Sequence, residues 1–502
     1  MHIDPSAIRE KALETVKRIL MERPAEAEII LSQALKAFPD DYESRKLLSV
    51  VKQCQGEYDA AVPLIDWCVR QHPEDPDNHN NLALCLANMD RYEEAIVSLE
   101  KALELKPDRS VFMSNLALQF RQIGRHDRAI ELFERALAVD KCPQIMCNLG
   151  GVYGEMKRYE ESERCFKQAL EMDPRFVPAH VDLAFTYHLQ GRWDEGFAEY
   201  EWRFDYFKLL EFYKAAYDQN KRWDGKASLA GKTILLYGEQ GLGDMIQFVR
   251  YCPLLKERGA AGVVVHCGSE VAGVLSRCTG VDETVVRDII GKKEPLPDYD
   301  YQCSLMSLPH LLGVGVFNPG VYIIPKAQLD VRKSYPETFN IGISWAGSAA
   351  HPQDQVRSTY LRNFKGIADI PGVKLFNLQI SPSERVYAHG RTVVNYTDGG
   401  ECVPMVDMRP MITDFDDTAT VISGLDLVIC VDTALVHLAG AMGVPCWALL
   451  TYNPDWRWRA DGFETEWYSS VRLFRQKKLR EWQPVFTEVA NHVRATLNLP
   501  NQ

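Results

Sequence analysis

The chain lacks most of the features that would place it in an extracellular, membrane or nucleic-acid-binding class. Its thirteen cysteines are scattered, odd in number and never spaced as CxxC. A disulfide frame or zinc site is therefore not expected, and reduced thiols in a cytoplasmic protein fit better. No apolar run approaches the roughly 18 residues that a membrane span needs. The first segment, "MHIDPSAIREKALETVKRIL", mixes acids with bases and has no apolar core of the signal-peptide kind. Positive charge is also short. A formal charge of -12 argues against a general nucleic-acid or membrane-surface binder, which would carry a basic face. What remains is an ordinary globular composition, 46% hydrophobic and 25% charged, over 502 residues. That length is too great for one core, so two to four domains are expected.

The first two hundred residues repeat with a period of about 34. Ala27, Ala61, Ala95 and Ala129 mark one register, continued by Ser162 and Gly196. Ala34, Cys68, Ala102, Ala136 and Ala169 mark a second. Leu31, Ile65, Leu99, Phe133, Phe166 and Tyr200 give a third, of large apolar residues. Prolines close several units, at Pro39, Pro73, Pro107 and Pro174. Small residues where two helices cross, with apolar ones beside them, describe a helix-turn-helix unit that buries its face only by stacking. The pattern resembles the tetratricopeptide repeat, with about six units over residues 1–205. Asn81, Asn115 and Asn148 recur in the first helix of successive units. The resemblance places them on the concave groove of the array. A side-chain amide both donates and accepts, so a ladder of amides can hold an extended peptide backbone without reading its sequence. Protein O-GlcNAc transferases, which these repeats resemble, use such a ladder. The alternative is that asparagine is common there in the repeat consensus.

Residues 206–230 read as a connecting helix and linker. After Lys232 short apolar runs alternate with helical patterns: "TILLYG", "AGVVVHCG", "VYIIP", "FNIGISWAG", "VKLFNLQ" and "LDLVICV". Strands separated by helices imply parallel sheets covered on both faces. The fold class expected is therefore an α-solenoid followed by α/β, with two Rossmann-like halves over 231–325 and 338–480. An amphipathic helix over 481–498 is expected to brace the first half.

Two spots carry chemistry. In "LLYGEQGLGDMIQFVRY", Gly238, Gly241 and Gly243 do not match GxGxxG, so a dinucleotide site is unsupported. They permit a tight turn and close backbone approach to a ligand, Gly241 and Gly243 being the two nearest it. Asp244 follows at the start of a helix, where a carboxylate is stabilised and its pKa is expected to fall. The bland reading is a capping carboxylate. In "LDLVICVDTALVHLAGAMGVP", a strand ends at Val431, with Asp432 and Thr433 as helix caps and His437 one turn in. Such a helix start suits a phosphate. Arg357 is a plausible cation for it.

From about Trp223 to Val485 the chain resembles bacterial tetratricopeptide-repeat proteins with a C-terminal glycosyltransferase of the heptosyltransferase (family 9-like) type. The segments "RWDG", "EQGLGDMIQFVRYCPLL", "LMSLPHLLG", "GISWAGS", "DFDDTATVISGLDLVICVDTALVHLAGAMGVPCWALL", "PDWRW" and "RLFRQ" carry the likeness. The resemblance implies a GT-B fold, two facing Rossmann-like domains with no catalytic metal and no cofactor beyond a nucleotide-diphosphate sugar as co-substrate. It also implies Asp244 as general base, and donor diphosphate against Asp432, Thr433, His437 and Arg357. The expected activity is inverting transfer of a hexosyl or heptosyl unit in the cytoplasm, without membrane insertion, to a protein held in the repeat groove. A lipopolysaccharide or glycan acceptor is the alternative within the enzyme class. An inactive sugar-transferase half serving a repeat scaffold is the alternative outside it.

Overall fold

The computed structural model describes residues 5–207, 216–239, 241–286, 296–348, 354–380, 387–389, 393–398 and 401–500. They fall into two compact units, Met1–Leu183 and Ala184–Gln502.

The first unit is a series of paired helices, such as Pro76–Asn88 with Tyr92–Leu105 and Ser110–Gln122 with His126–Val139. The registers seen in the sequence form its core. Ala61, Ala95, Ala129, Ala102, Ala136 and Ala169 are buried, beside Ile65, Leu99, Phe133 and Phe166. The turns within several pairs use one residue of left-handed backbone. Gly56 and Gly124 supply it where the sequence has glycine, and Asp90 and Lys157 adopt it at the same register.

The second unit carries two sheets. The first contains β1 (Thr233–Tyr237), β2 (Gly262–Cys267), β3 (Glu283–Val286) and β4 (Tyr301–Ser304). All pair in parallel, in the order β3-β2-β1-β4. The second sheet contains β5 (Phe339–Ser344), β6 (Val373–Asn377), β7 (Tyr387–His389), β8 (Val393–Asp398) and β9 (Glu401–Asp407). It is completed by β10 (Leu427–Val431), β11 (Cys446–Leu450) and β12 (Val471–Arg475). Its order is β12-β11-β10-β5-β6-β9-β8-β7, parallel except for the β7–β8–β9 tail. In both sheets the strand order reverses beside the first strand, between β1 and β4 and between β5 and β10. That reversal is the switch point at which doubly wound sheets open a crevice for ligands.

Two expectations are corrected. "VYIIP" forms no sheet strand. Tyr322 and Ile323 are buried and donate backbone N–H bonds to Ala441 O, 3.0 and 3.3 Å, capping the end of the helix Ala434–Ala441. Terminal helix carbonyls need partners, and this segment provides one. The C-terminal helix Gln483–Thr496 does not use its buried face to brace the first sheet. Val485, Phe486, Val489 and Val493 join the core of the second sheet, with Phe486 against Phe364 at 4.8 Å between ring centres. The first sheet is joined to the second instead through a shared apolar core that includes Ile246, Val271, Ala419, Val436 and Ala439. The expected connecting helix over 206–230 falls partly outside the described residues. Those described there include a short turn at Gln219–Lys221 and the buried Trp223.

Candidate functional site

A cavity of about 850 Å³ opens at the carboxyl ends of β1, β5 and β10. It brings together Gly241, Gly243, Asp244, Arg357, Asp432, Thr433 and His437 from the sequence reading, and adds Asp455 and Arg457.

The glycine loop is held from behind. Glu239, its second residue, receives Arg203 Nε and Nη2 at 2.7 and 2.6 Å. Both side chains are fully buried. Arg203 also reaches Glu201 and Ser307 Oγ. Burial pulls its guanidinium down, yet Glu239 and Glu201 outweigh that and keep it charged. Asp244 then opens the helix Leu242–Phe248. One carboxylate oxygen accepts from Gly241 N at 2.9 Å, the capping role the bland reading gives it. The other accepts from Arg457 Nη2 at 2.5 Å. The expected low pKa is corrected. Burial raises the carboxyl above its usual value, more than Arg457 and the Gly241 N–H lower it. Asp455 and Glu239 add to the rise.

Gly243 serves helix packing as well as the cavity. A Cβ there would sit 2.9 Å from His437 Cδ2 and 3.3 Å from Ala434 Cα. The helix Leu242–Phe248 thus meets the start of Ala434–Ala441 almost backbone to backbone. Thr433 occupies the cap position of that second helix, but its hydroxyl makes no cap bond. N–H groups of the first turn have no partner within a helix, so this tip offers donors toward the cavity it lines. Asp432, just before it, is pushed up to about 7 by burial and by Asp455. A carboxyl that is about half protonated at neutral pH repels an incoming anion less than a fully ionised one.

His437 is buried, stacked on Trp458 at 5.3 Å, and its Nδ1 lies 2.9 Å from Tyr468 Oη. Burial, then Arg457 and Arg250, hold its pKa well below the usual histidine value. The ring is therefore neutral. A Tyr468 hydroxyl donating to Nδ1 would leave the ring proton on Nε2. Trp467 and Tyr468 are themselves fully buried, with Arg250 donating to Trp467 O at 2.7 Å. Tyr468 packs against the histidine. Arg357 donates to Asp432 O at 3.4 Å and to Asp354 at 3.3 Å. Its guanidinium lies so close against Gly347 that any Cβ there would collide with it.

Arg457 and Asp455 were missed by the sequence reading, although "PDWRW" is among the segments carrying the resemblance. Nothing in the spacing ties that loop, which follows β11, to an aspartate 213 residues earlier. Among the described residues no group of three or more His, Cys, Asp and Glu side chains is placed to hold a metal ion.

In the first unit Asn81, Asn115 and Asn148 lie on the first helices of three successive pairs, each half-buried. Asn115 Nδ2 donates to Asn80 Oδ1 of the preceding pair at 2.8 Å. Asn80 Nδ2 lies 3.4 Å from Asn81 Oδ1, and Gln144 donates to Asn148 at 3.0 Å.

Comparison with known proteins matches the repeats and part of the second unit to separate families. Tetratricopeptide-repeat family models match residues 76–141, 143–176 and 165–197. The model of anaphase-promoting complex, cyclosome, subunit 3 matches residues 22–102. The first unit is a tetratricopeptide-repeat array. The glycosyltransferase family 9 (heptosyltransferase) model matches residues 409–482, a stretch holding Asp432, Thr433, His437 and Arg457 but neither Asp244 nor Arg357. The chain is 26% identical over 344 residues to Protein FlbA of Caulobacter vibrioides, covering 64% of this chain. It spans only 54% of that relative's length. Among solved structures, a thermophilic TPR protein of Thermus thermophilus matches 35% of this chain and 97% of its own, at 21% identity and a TM-score of 0.33. PilF of Pseudomonas aeruginosa matches 42% and 98%, at 19% identity and a TM-score of 0.35. Among the described residues no helix is long and apolar enough to cross a membrane.

Proposed function

We propose that the protein is a glycosyltransferase of GT-B type that moves a sugar from a nucleoside-diphosphate donor to a hydroxyl of a protein acceptor. The observation that carries this reading is the composition of the cavity. A largely buried carboxylate on a glycine loop faces an uncapped helix tip, with Arg357 beside the tip. The tip and Arg357 suit a diphosphate, whose charge grows as the sugar departs. The neutral His437 donates through Nε2 to the same oxygens. Asp244 takes the proton of the attacking hydroxyl, a role that typically contributes about 10²–10⁴-fold in rate. A raised pKa makes it a stronger base, provided it stays ionised at working pH. Attack from the side opposite the diphosphate inverts the anomeric centre. The asparagines of the repeat array support an extended polypeptide as acceptor, since amides at 33- to 34-residue spacing can pair with a peptide backbone.

The test uses the full chain with a panel of nucleotide sugars. Stabilisation against heat by one nucleoside diphosphate is expected, weakened by Arg357→Gln and retained by Asp244→Asn. Transfer of labelled sugar to polypeptide is then expected from the parent chain and lost in Asp244→Asn. No stabilisation by any nucleotide would leave the repeat scaffold as the better reading. Transfer to a lipopolysaccharide core but to no polypeptide would reassign the acceptor.

A further inference from the structure

Arg457 makes contacts that its own loop does not explain. It comes from the loop after β11, yet two of its three donor groups cross to the helix that begins at Leu242. Nη2 reaches Asp244 at 2.5 Å, and Nε reaches Gln247 Oε1 at 2.8 Å, one turn further along that helix. Nη1 alone stays on its own side, at Asp455, 2.8 Å away. The guanidinium plane lies over Trp456 at 4.2 Å. The side chain of Arg457 is 8% exposed and that of Asp244 14%, so solvent and salt screen the pair little. A planar fork with several donors can serve both Asp244 and Gln247; a lysine ammonium is a point charge and cannot hold the same arrangement.

We propose that Arg457 is the positioning residue for Asp244, fixing the direction of its carboxylate and favouring its charged form, so that one sheet of the second unit biases the charge state of the base carried by the other. This deepens the reading of Asp244 as a base and rests on it only for the catalytic consequence. The groups facing Asp244 are Arg457 and Asp455 from the loop after β11, Glu239 from its own loop and Tyr200 from the helix Trp193–Tyr200. Asp432 and His437 line the same cavity. Arg457 is thus a cation facing an excess of carboxylates. Removing it leaves burial and two like charges acting together on Asp244. Removing Asp455 does the reverse, because it takes away a like charge and leaves Asp244 as the carboxylate that Arg457 pairs with.

The test is titration of Asp244 in the full chain labelled with ¹³C at aspartate carboxyls, its signal identified by its loss in Asp244→Asn. Arg457→Gln is expected to move the midpoint to higher pH by about one unit or more. Arg457→Lys should give a smaller rise, and Asp455→Asn a shift to lower pH. Loosening alone cannot produce shifts of opposite sign, and Asp455 is exposed enough that its substitution leaves the fold intact if Arg457→Gln does not. A midpoint unmoved by Asp455→Asn and by whichever Arg457 variant folds would overturn the assignment. Where sugar transfer is measurable, the acid limb of its pH profile should follow the same order. Titration that responds without any transfer would instead remove the enzymatic reading and leave the pairing standing.

Discussion

Both units hold several kinds of arginine pair, and the local pairs of the repeats set against the buried pairs of the second unit show what burial changes. In the repeats Arg91 pairs with Glu94 and Arg158 with Glu161, three residues apart, with every side chain partly exposed. In the second unit Arg203 meets Glu239 across 36 residues with both fully buried, and Arg457 meets Asp244 across 213. A local exposed pair can be read from spacing and holds little together, because water and salt compete for both partners. A buried pair leaves no mark in the spacing, yet it restricts the chain to the one arrangement that satisfies both charges.

The largest expected effect comes from breaking the buried side of that comparison. Arg203→Met leaves Glu239 in the core without a cation, and loss of one partner of such a pair costs about 3–5 kcal/mol. Urea unfolding should show it in the transition of the second unit. A comparable loss is available in the repeats only through apolar contacts. Phe133→Ala should cost about 3–5 kcal/mol, since that ring is fully buried. There the damage should stay within neighbouring repeats, because each contacts only the next. Hydrogen exchange would then report opening around Leu99, Phe133 and Phe166 while the sheets stay protected. Gly243→Ala is expected to cost less than either. Its Cβ would press His437 and Ala434 apart, and overpacking of this kind costs about 1–3 kcal/mol. A stabilised Gly243→Ala protein would mean that the two helices do not meet there.

Asp432 sharpens the comparison through pH. Its folded-state pKa of about 7 lies above the ordinary aspartate value near 4. Between those two values the native chain binds a proton that the unfolded chain has released. The group therefore favours the fold fully below about pH 4, loses that contribution as pH rises through about 7, and is level beyond. Asp432→Asn should remove this slope, so the variant gains stability relative to the parent at pH 8 and not at pH 4. Parallel curves from thermal unfolding at the two pH values would show that Asp432 titrates normally.

Legibility in the sequence follows the same division. The array was readable because stacking makes neighbours of residues about 34 apart, so Ala95, Ala129, Leu99 and Phe133 announce their contacts by recurrence. Parallel strands such as β1, β5 and β10 were readable from apolar runs between helical patterns. The helix tip and the glycine loop showed in local composition, which is why Asp244, Thr433 and His437 could be nominated at all. "VYIIP" misled because an apolar β-branched run reads as a strand whether its N–H groups go to a sheet or cap a helix. The C-terminal helix misled because amphipathicity states that a face is buried and not against what. Arg203, Arg457 and Asp455 were missed for a different reason. Arg203 reaches Glu239 36 residues away, and Arg457, fixed by Asp455, reaches Asp244 213 residues away, so no short window of sequence contains both ends of either contact.

The smallest effect is the most direct check on the comparison. Arg91 approaches Glu94 with both Nε and Nη2 at 2.7 Å, the same forked geometry that Arg203 uses on Glu239. Geometry alone would therefore rank the two pairs together. Solvent separates them: the Arg91 and Glu94 side chains remain about half exposed, so the unfolded chain loses little by exchanging each partner for water. Arg91→Gln is expected to leave the unfolding midpoint of the array unchanged within error, in low salt and in 1 M salt alike, where Arg203→Met shifts its own transition in both. A clear loss in Arg91→Gln that salt abolishes would show that the array depends on its surface pairs, and the contrast between the units would then lie in number of charges and not in burial.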